Sequence, residues 1–266
     1  MPWALTRRAT PGNTASTGFF RRHLRRIAFF TMKFSPPLIE GTLLRRYQRF
    51  LADVALPGGR VVTAHCPNTG SMMGCAEPGS RVWLSDSGNP ARKHPLTWEI
   101  VEAAPSVLVG VNTGYSNRLV QEAIEAGVIA ELRGYTRIRR EVRFGVEKSR
   151  IDLLLEGNGP ACYVEVKNVT AAVEGKTALF PDAVSVRGAK HLRELAAMAR
   201  KGNRAVLCFC VQRADVDEVR PADAIDPVYG RTLREVLAQG VEAIAWRAEV
   251  SPEGIELRHR LPVVCP

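Results

Sequence analysis

Arg150-Ile151-Asp152-Leu153-Leu154-Leu155-Glu156-Gly157-Asn158-Gly159-Pro160-Ala161-Cys162-Tyr163-Val164-Glu165-Val166-Lys167 reads as two apolar strands joined by a tight turn. Gly157, Asn158, Gly159 and Pro160 are turn formers between two runs suited to a pleated surface. If Glu156 pairs with Ala161, paired residue numbers sum to 317, and Asp152 falls opposite Glu165. Opposed residues share a face, with Cβ atoms about 4.5–5.5 Å apart. Lys167, two residues past Glu165, lies on that face as well. Ile151, Leu153, Leu155, Cys162, Val164 and Val166 then point the other way, into a core.

Two carboxylates set opposite each other repel, and a divalent cation resolves the conflict. Asp152 and Glu165 supply hard oxygen ligands for Mg²⁺ or Mn²⁺, and the backbone carbonyl of Val166 can supply another. Such an ion polarises a phosphoryl oxygen and helps to generate hydroxide from bound water. Lys167 brings a point charge able to stabilise charge developing at phosphorus or to orient the water. The bland alternative is a solvated face with scattered charges. The apolar flanks and the Glu-x-Lys step argue against it.

The chain has 266 residues, 45% of them hydrophobic, enough for one large domain or two smaller ones with a proper core. No apolar stretch approaches a transmembrane length, which predicts a soluble protein without membrane contact. Six cysteines, at 66, 75, 162, 208, 210 and 265, show no C-x-x-C spacing. They read as reduced and structural, in a cytoplasmic setting. A zinc site from His65, Cys66 and Cys75 lacks a fourth ligand. The net charge of +10 is uneven, because residues 1–31 hold six Arg and no Asp or Glu, leaving 31 basic against 27 acidic residues elsewhere. Whole-molecule charge is therefore weak evidence for nucleic acid.

Residues 1–31 read as a disordered basic extension or the product of an upstream start codon, in preference to a presequence or a nucleic-acid-binding arm. From 32 to 112, short apolar runs separated by turn signals predict a small barrel: Phe50 to Leu56, Arg60 to His65, Arg81 to Ser85, Thr97 to Glu102 and Val107 to Val111. Arg45, Arg46 and Arg49 beside Tyr47 and Phe50 mix cations with aromatics, a combination that tracks phosphates and stacks bases, or else a snorkelling basic element. Asn68-Thr69-Gly70-Ser71 is a polar loop for phosphate or the other domain, or a turn bonded to itself.

From 113 to 266 the pattern is helix, three strands, helix, strand, helix and two strands, an α/β domain on a mixed sheet. Asn117 to Gly127 is an amphipathic helix with Asn117 as its cap, and carries Glu122, a further candidate for the site. Arg140 to Val146 is the strand before the central hairpin, and Gly188 to Arg200 is the helix after it. Asp182, Arg187, Lys190 and His191 flank the start of that helix, where cations and an exposed N-terminus suit a phosphate. For His191 the alternative is packing on Leu195.

Asp152 followed thirteen positions later by Glu165-Val166-Lys167 resembles the PD-(D/E)xK nuclease signature, with Ile151 where the first proline usually stands. Together with Phe34-Ser35-Pro36-Pro37-Leu38, His65 to Met72, Phe180 to Val184 and Arg187 to Leu192, the chain from about Met32 to Val264 resembles the bacterial sugar fermentation stimulation protein family. The resemblance implies an N-terminal OB-type barrel, a C-terminal PD-(D/E)xK nuclease-like domain and DNA binding, with RNA and homodimerisation left open. Three readings follow: a metal-dependent nuclease acting through Asp152, Glu165 and Lys167; a non-cleaving, non-specific DNA-binding regulator of sugar metabolism; or an interaction module whose barrel binds protein or a small ligand.

Overall fold

Residues 32–145, 149–173 and 176–266 are described by the computed structural model of the chain; the extension expected over 1–31 lies outside them. A first short strand, β1 (Met32–Lys33), precedes a barrel of β2 (Ile39–Tyr47), β3 (Leu51–Ala55), β4 (Val61–His65), β5 (Arg81–Asp86) and β6 (Leu96–Ala104), extended by β7 (Val107–Gly110). The strands run in the order β4-β3-β2-β5-β6-β7, and a parallel contact between His65 of β4 and Thr97 of β6 closes five of them into a barrel. Leu43, Val54, Val82, Leu84, Trp98 and Val101 fill it; β2 alternates buried and exposed residues through Leu43, as a strand with one wet face does, whereas Leu96 to Val101 of β6 is buried on both faces. This is the expected OB-type barrel. Its β2 is a strand in which the Arg45–Tyr47 segment ends before a tight turn at Gln48 and Arg49, both at positive φ.

The second domain contains α1 (Ser116–Glu125), β8 (Tyr135–Phe144), β9 (Ser149–Gly157), β10 (Cys162–Val169), β11 (Ala172–Val173), β12 (Thr177–Phe180), α2 (Val186–Arg200), β13 (Arg204–Val211), β14 (Glu218–Pro221), α3 (Pro227–Ala238), β15 (Glu242–Ser251) and β16 (Gly254–Leu261). Its seven-stranded sheet has the order β1-β16-β15-β13-β10-β9-β8 and is mixed, with β10, β13 and β15 parallel and the outer pairs antiparallel. Helices cover both faces: α2 and α3 pack through Leu192, Leu195, Tyr229 and Leu233 on one, α1 through Leu119, Val120, Ala123 and Ile124 on the other. β13 is buried on both sides, which is why Ala205 to Val211 is an unbroken apolar run. Among the described residues, no helix is long and apolar enough to cross a membrane.

The expected order of elements holds, with two additions. β11, β12 and β14 form a small sheet of their own; at two to four residues each they are too short to show a period. Met32 and Lys33, assigned by sequence to the barrel segment, pair instead with Ile255 and Gly254 at the edge of the large sheet. Asn117 is not a cap. Asn112 caps the preceding 3₁₀ turn by accepting from the Gly114 N–H, so α1 begins one residue early and the Asn117 side chain is released for other use.

The central hairpin follows the expected register, Cys162 with Leu155, Tyr163 with Leu154 and Val164 with Leu153, and then stops pairing one step before Asp152 and Glu165. The cause lies in the neighbouring ribbon. Arg140 pairs with Leu153 and Val142 with Ile151, and between them Glu141 sits at φ +51°, a region that non-glycine residues seldom adopt. Leu153 faces the α1 core whereas Ile151 faces the α2–α3 core, so the ribbon turns over at Glu141 and Asp152. Ile151 therefore does not share a face with Leu153 and Leu155, contrary to the alternation expected from the sequence. Asp152 is left at the fork where β9 and β10 part.

Candidate active site

The fork exposes backbone groups that the ladder would otherwise consume, and Asp152 uses one of them. Its Oδ2 accepts the Val166 N–H at 2.7 Å, and its Oδ1 accepts Asn117 Nδ2 from α1 at 2.8 Å. Glu165, 2% exposed, lies on β10 and points toward α2. There its Oε1 takes both Lys167 Nζ at 2.7 Å and His191 Nδ1 at 2.6 Å. Arg187 donates from Nε to His191 Nε2 at 3.3 Å, which makes that nitrogen the acceptor and leaves the proton on Nδ1, directed at Glu165. Arg187 and His191 stand one turn apart on α2, the spacing at which helical side chains meet.

Electrostatics separate the two carboxylates. Burial, followed by the charge of Glu165, pushes Asp152 up to about 6, against the Val166 and Asn117 hydrogen bonds. Burial also pushes Glu165 up, but the His191 hydrogen bond and the Lys167 charge outweigh it and hold Glu165 below the usual range. Among the described residues, buried Glu165 Oε2 has no partner, and neither has the nearby Tyr229 hydroxyl, pushed far up by burial and then by the Glu165 charge. A bare oxygen on an ionised buried carboxylate is costly unless something is meant to meet it. Among the described residues no three His, Cys, Asp or Glu side chains converge to cage an ion. Asp152, Glu165 Oε2 and the Val166 carbonyl are hard oxygen donors of the kind Mg²⁺ takes when it is held by one or two carboxylates and keeps several waters.

The other candidates sort by what they touch. Glu122 is joined to Arg118 at 2.6 Å along α1, and it is Asn117, on another face of the helix, that reaches Asp152. Arg46 donates through Nη2 to the carbonyls of Asn68 (3.0 Å), Gly70 (2.9 Å) and Arg49 (2.8 Å), while Arg49 Nε holds the Thr69 carbonyl at 2.9 Å. Both arginines anchor the polar loop from the barrel side. Arg45 is paired with Asp53 at 2.8 Å and stacks on Tyr47.

The loop carries an internal Asx bond, Gly70 N–H to Asn68 Oδ1 at 2.9 Å, and meets the second domain, where Asp182 accepts from Ser71 Oγ and the Met72 N–H, both at 3.3 Å. A side chain at residue 70 would strike Asp182, since a Cβ there would lie 2.3 Å from Oδ2. The loop and Asp182 wall a cavity of about 230 Å³ between the domains, shared with Thr113, Asn168 and Phe180. Lys190, half-buried in α2, also has a partner. Cys66 and Cys75 contact Met72 and the Thr170 carbonyl respectively, and neither is joined to His65. Sequence reasoning missed Asn117 as a site residue and the first half of β8, Tyr135 to Arg139, while Val146 at the end of the expected Arg140 to Val146 strand lies outside the described residues. Nothing in the local sequence marks the first, whereas the alternation of Arg137, Arg139 and Arg143 with apolar residues could have extended the strand back to Tyr135.

Comparisons with known proteins agree with this architecture. A family model described as the sugar fermentation stimulation protein RE domain matches residues 114–254, and one described as the SfsA N-terminal OB domain matches 44–111. A sugar fermentation stimulation protein homolog of Thioalkalivibrio sulfidiphilus is 64% identical over 232 residues, covering 87% of this chain and 98% of the relative. One from Geobacter metallireducens is 62% identical over 233 residues, covering 88% and 100%. The structure of Pyrococcus furiosus SfsA in complex with Ca²⁺ superposes with a TM-score of 0.79 at 30% identity, covering 88% of this chain and 98% of that one.

Proposed function

The chain belongs to the sugar fermentation stimulation protein family, and from that premise we propose that it binds DNA and hydrolyses phosphodiesters with a divalent cation at Asp152, Glu165 and Lys167. The observation that carries the reading is the buried, ionised Glu165 with one oxygen bare beside a second carboxylate. The Ca²⁺ bound by the Pyrococcus furiosus relative supports a hard cation at this fold, and Mg²⁺ or Mn²⁺ is the working ion we assign. We divide the chain into the barrel, 32–112, and the nuclease-like unit, 113–266, whose β9 and β10 carry the site. We assign a cytoplasmic location, in keeping with six free cysteines, five of them buried.

Each residue then has a role. Asp152, fixed by the Val166 N–H and Asn117, and Glu165, fixed by His191, present their oxygens from two diverging strands. The cation, when bound, supplies Lewis acidity toward a phosphoryl oxygen and lowers the pKa of water. Lys167 leaves its contact with Glu165 to stabilise the extra negative charge on the phosphoryl oxygens or to hold the attacking water. Arg187 and His191 keep Glu165 ionised and oriented. The test is incubation of the protein with single- and double-stranded DNA and RNA in Mg²⁺ or Mn²⁺, beside Asp152→Ala and Lys167→Ala. Cleavage that needs metal and disappears in both variants is the expected result. Binding without cleavage under every condition would replace this reading with that of a non-cleaving DNA-binding regulator.

A further inference from the structure

Arg143 and Arg150 stand directly opposite each other on β8 and β9, and both are exposed. Like charges in opposed positions destabilise a strand pair. The neighbouring arginines of β8 avoid this problem, since Arg137 and Arg139 share Glu156 at 3.8 and 3.5 Å. Among the described residues neither Arg143 nor Arg150 has such a partner.

The overturned ribbon gives the pair its position. Val142, Phe144 and Ile151 face the α2–α3 core, so the alternating Arg143 and Arg150 face the α1 side of the sheet. Arg140 is on the same side, in a groove of about 400 Å³ with Tyr115, Asn117, Arg118 and Glu141. Asn117 is the residue that holds Asp152. Arg150 precedes Asp152 by two residues, about 7 Å along a strand, roughly one nucleotide step. β8 is the outer strand of the sheet, so the row lies along an open edge. Guanidinium forks match phosphate oxygens in pairs and cannot lose their charge.

We propose that Arg143 and Arg150 form a phosphate subsite that holds the polynucleotide backbone beside the bond presented to Asp152 and Glu165. The subsite rests on the phosphodiesterase reading and narrows it, because a polymer reaches both places whereas a small phosphodiester reaches only one.

The experiment compares wild type, the double variant Arg143→Gln/Arg150→Gln, the single variant Arg150→Gln, and Arg137→Gln/Arg139→Gln as a control with the same loss of charge on the same ribbon. Anisotropy of a labelled oligonucleotide in Ca²⁺ is followed across KCl concentrations. The subsite double variant is expected to bind about tenfold or more weakly, with a salt slope shallower by about one to two, and Arg150→Gln to fall between it and wild type. Cleavage of bis(p-nitrophenyl) phosphate in Mn²⁺ is expected to be unchanged in both. Oligonucleotide binding equal to wild type, or an equal loss in the control, overturns the subsite. A wild type that binds no oligonucleotide removes the nucleic-acid reading, and the subsite is then decided by melting in tripolyphosphate. A midpoint raised in wild type and unmoved in the double variant supports it; equal behaviour of the two overturns it.

Discussion

Glu99 of β6 and Glu165 of β10 are both almost completely buried, at 1% and 2% exposure, yet the two domains treat them in opposite ways. Around Glu99 every donor is neutral: Ser85 Oγ and the Tyr115 hydroxyl on one oxygen, Asn112 Nδ2 on the other. Burial prevails, and its carboxyl is raised above the usual range. Around Glu165 the donors are Lys167 and His191, both on one oxygen, and the carboxyl is lowered while the other oxygen stays bare. Glu99 joins the barrel to the Asn112–Tyr115 segment that leads into α1, and its bonds are complete. Glu165 is held below the usual range with one oxygen unpartnered among the described residues, which is the condition the proposed metal site calls for.

The largest test of this contrast is activity. Lys167→Ala is expected to lower metal-dependent oligonucleotide cleavage by about a thousandfold, the scale of a lost transition-state donor, whereas Glu99→Gln stays within about threefold of wild type. A comparable loss in Glu99→Gln would erase the distinction. Stability runs the other way. Glu99→Ala strands three buried donors and is expected to cost about 3 kcal/mol in urea denaturation, and a cost below about 1 kcal/mol would show that the network is not a structural tie.

The pH dependence separates the carboxylates by sign. Asp152 and Glu99 are raised in the fold, so between their unfolded and folded values the native state holds the extra proton, and stability falls as pH rises through that window. For Asp152 the window runs from about 4 to about 6. Glu165 is lowered, so the stability it contributes is present above about 4.3 and is lost as pH falls through its folded value. Without metal, Asp152→Asn is expected to be more stable than wild type above pH 6 by about 1–3 kcal/mol, and metal affinity in wild type to climb through pH 6. Equal melting curves for the two proteins from pH 4 to pH 8 would contradict the raised Asp152. The smallest effect is expected from Asn117→Ala, which removes one hydrogen bond to Asp152 and costs about 1 kcal/mol in metal binding, read as a fivefold weaker affinity.

Much of this arrangement is legible in the sequence, because hydrophobic alternation and turn chemistry act locally. Residues 157–160 force the hairpin, and the hairpin fixes the register that brings Asp152 near Glu165. The parts that stayed hidden depend on distant partners. Arg46 looks like a phosphate ligand until the 68–71 loop folds onto it from more than twenty residues away. His191 lies on its helix at a spacing that suits packing on Leu195, and only the β10–α2 contact turns its ring to Glu165. The left-handed step at Glu141 has no sequence mark, since glycine or asparagine would be the ordinary choice there. It nevertheless decides where the strands part and where Arg143 and Arg150 point.

The proposed function requires that Asp152 and Glu165 hold one divalent cation between them. Calorimetric titration of Mn²⁺ into wild type and Asp152→Asn at pH 7.5 tests it most directly. One site in wild type, weakened about a hundredfold or more in the variant, is the predicted result; no binding in wild type, or equal binding in both, would contradict it.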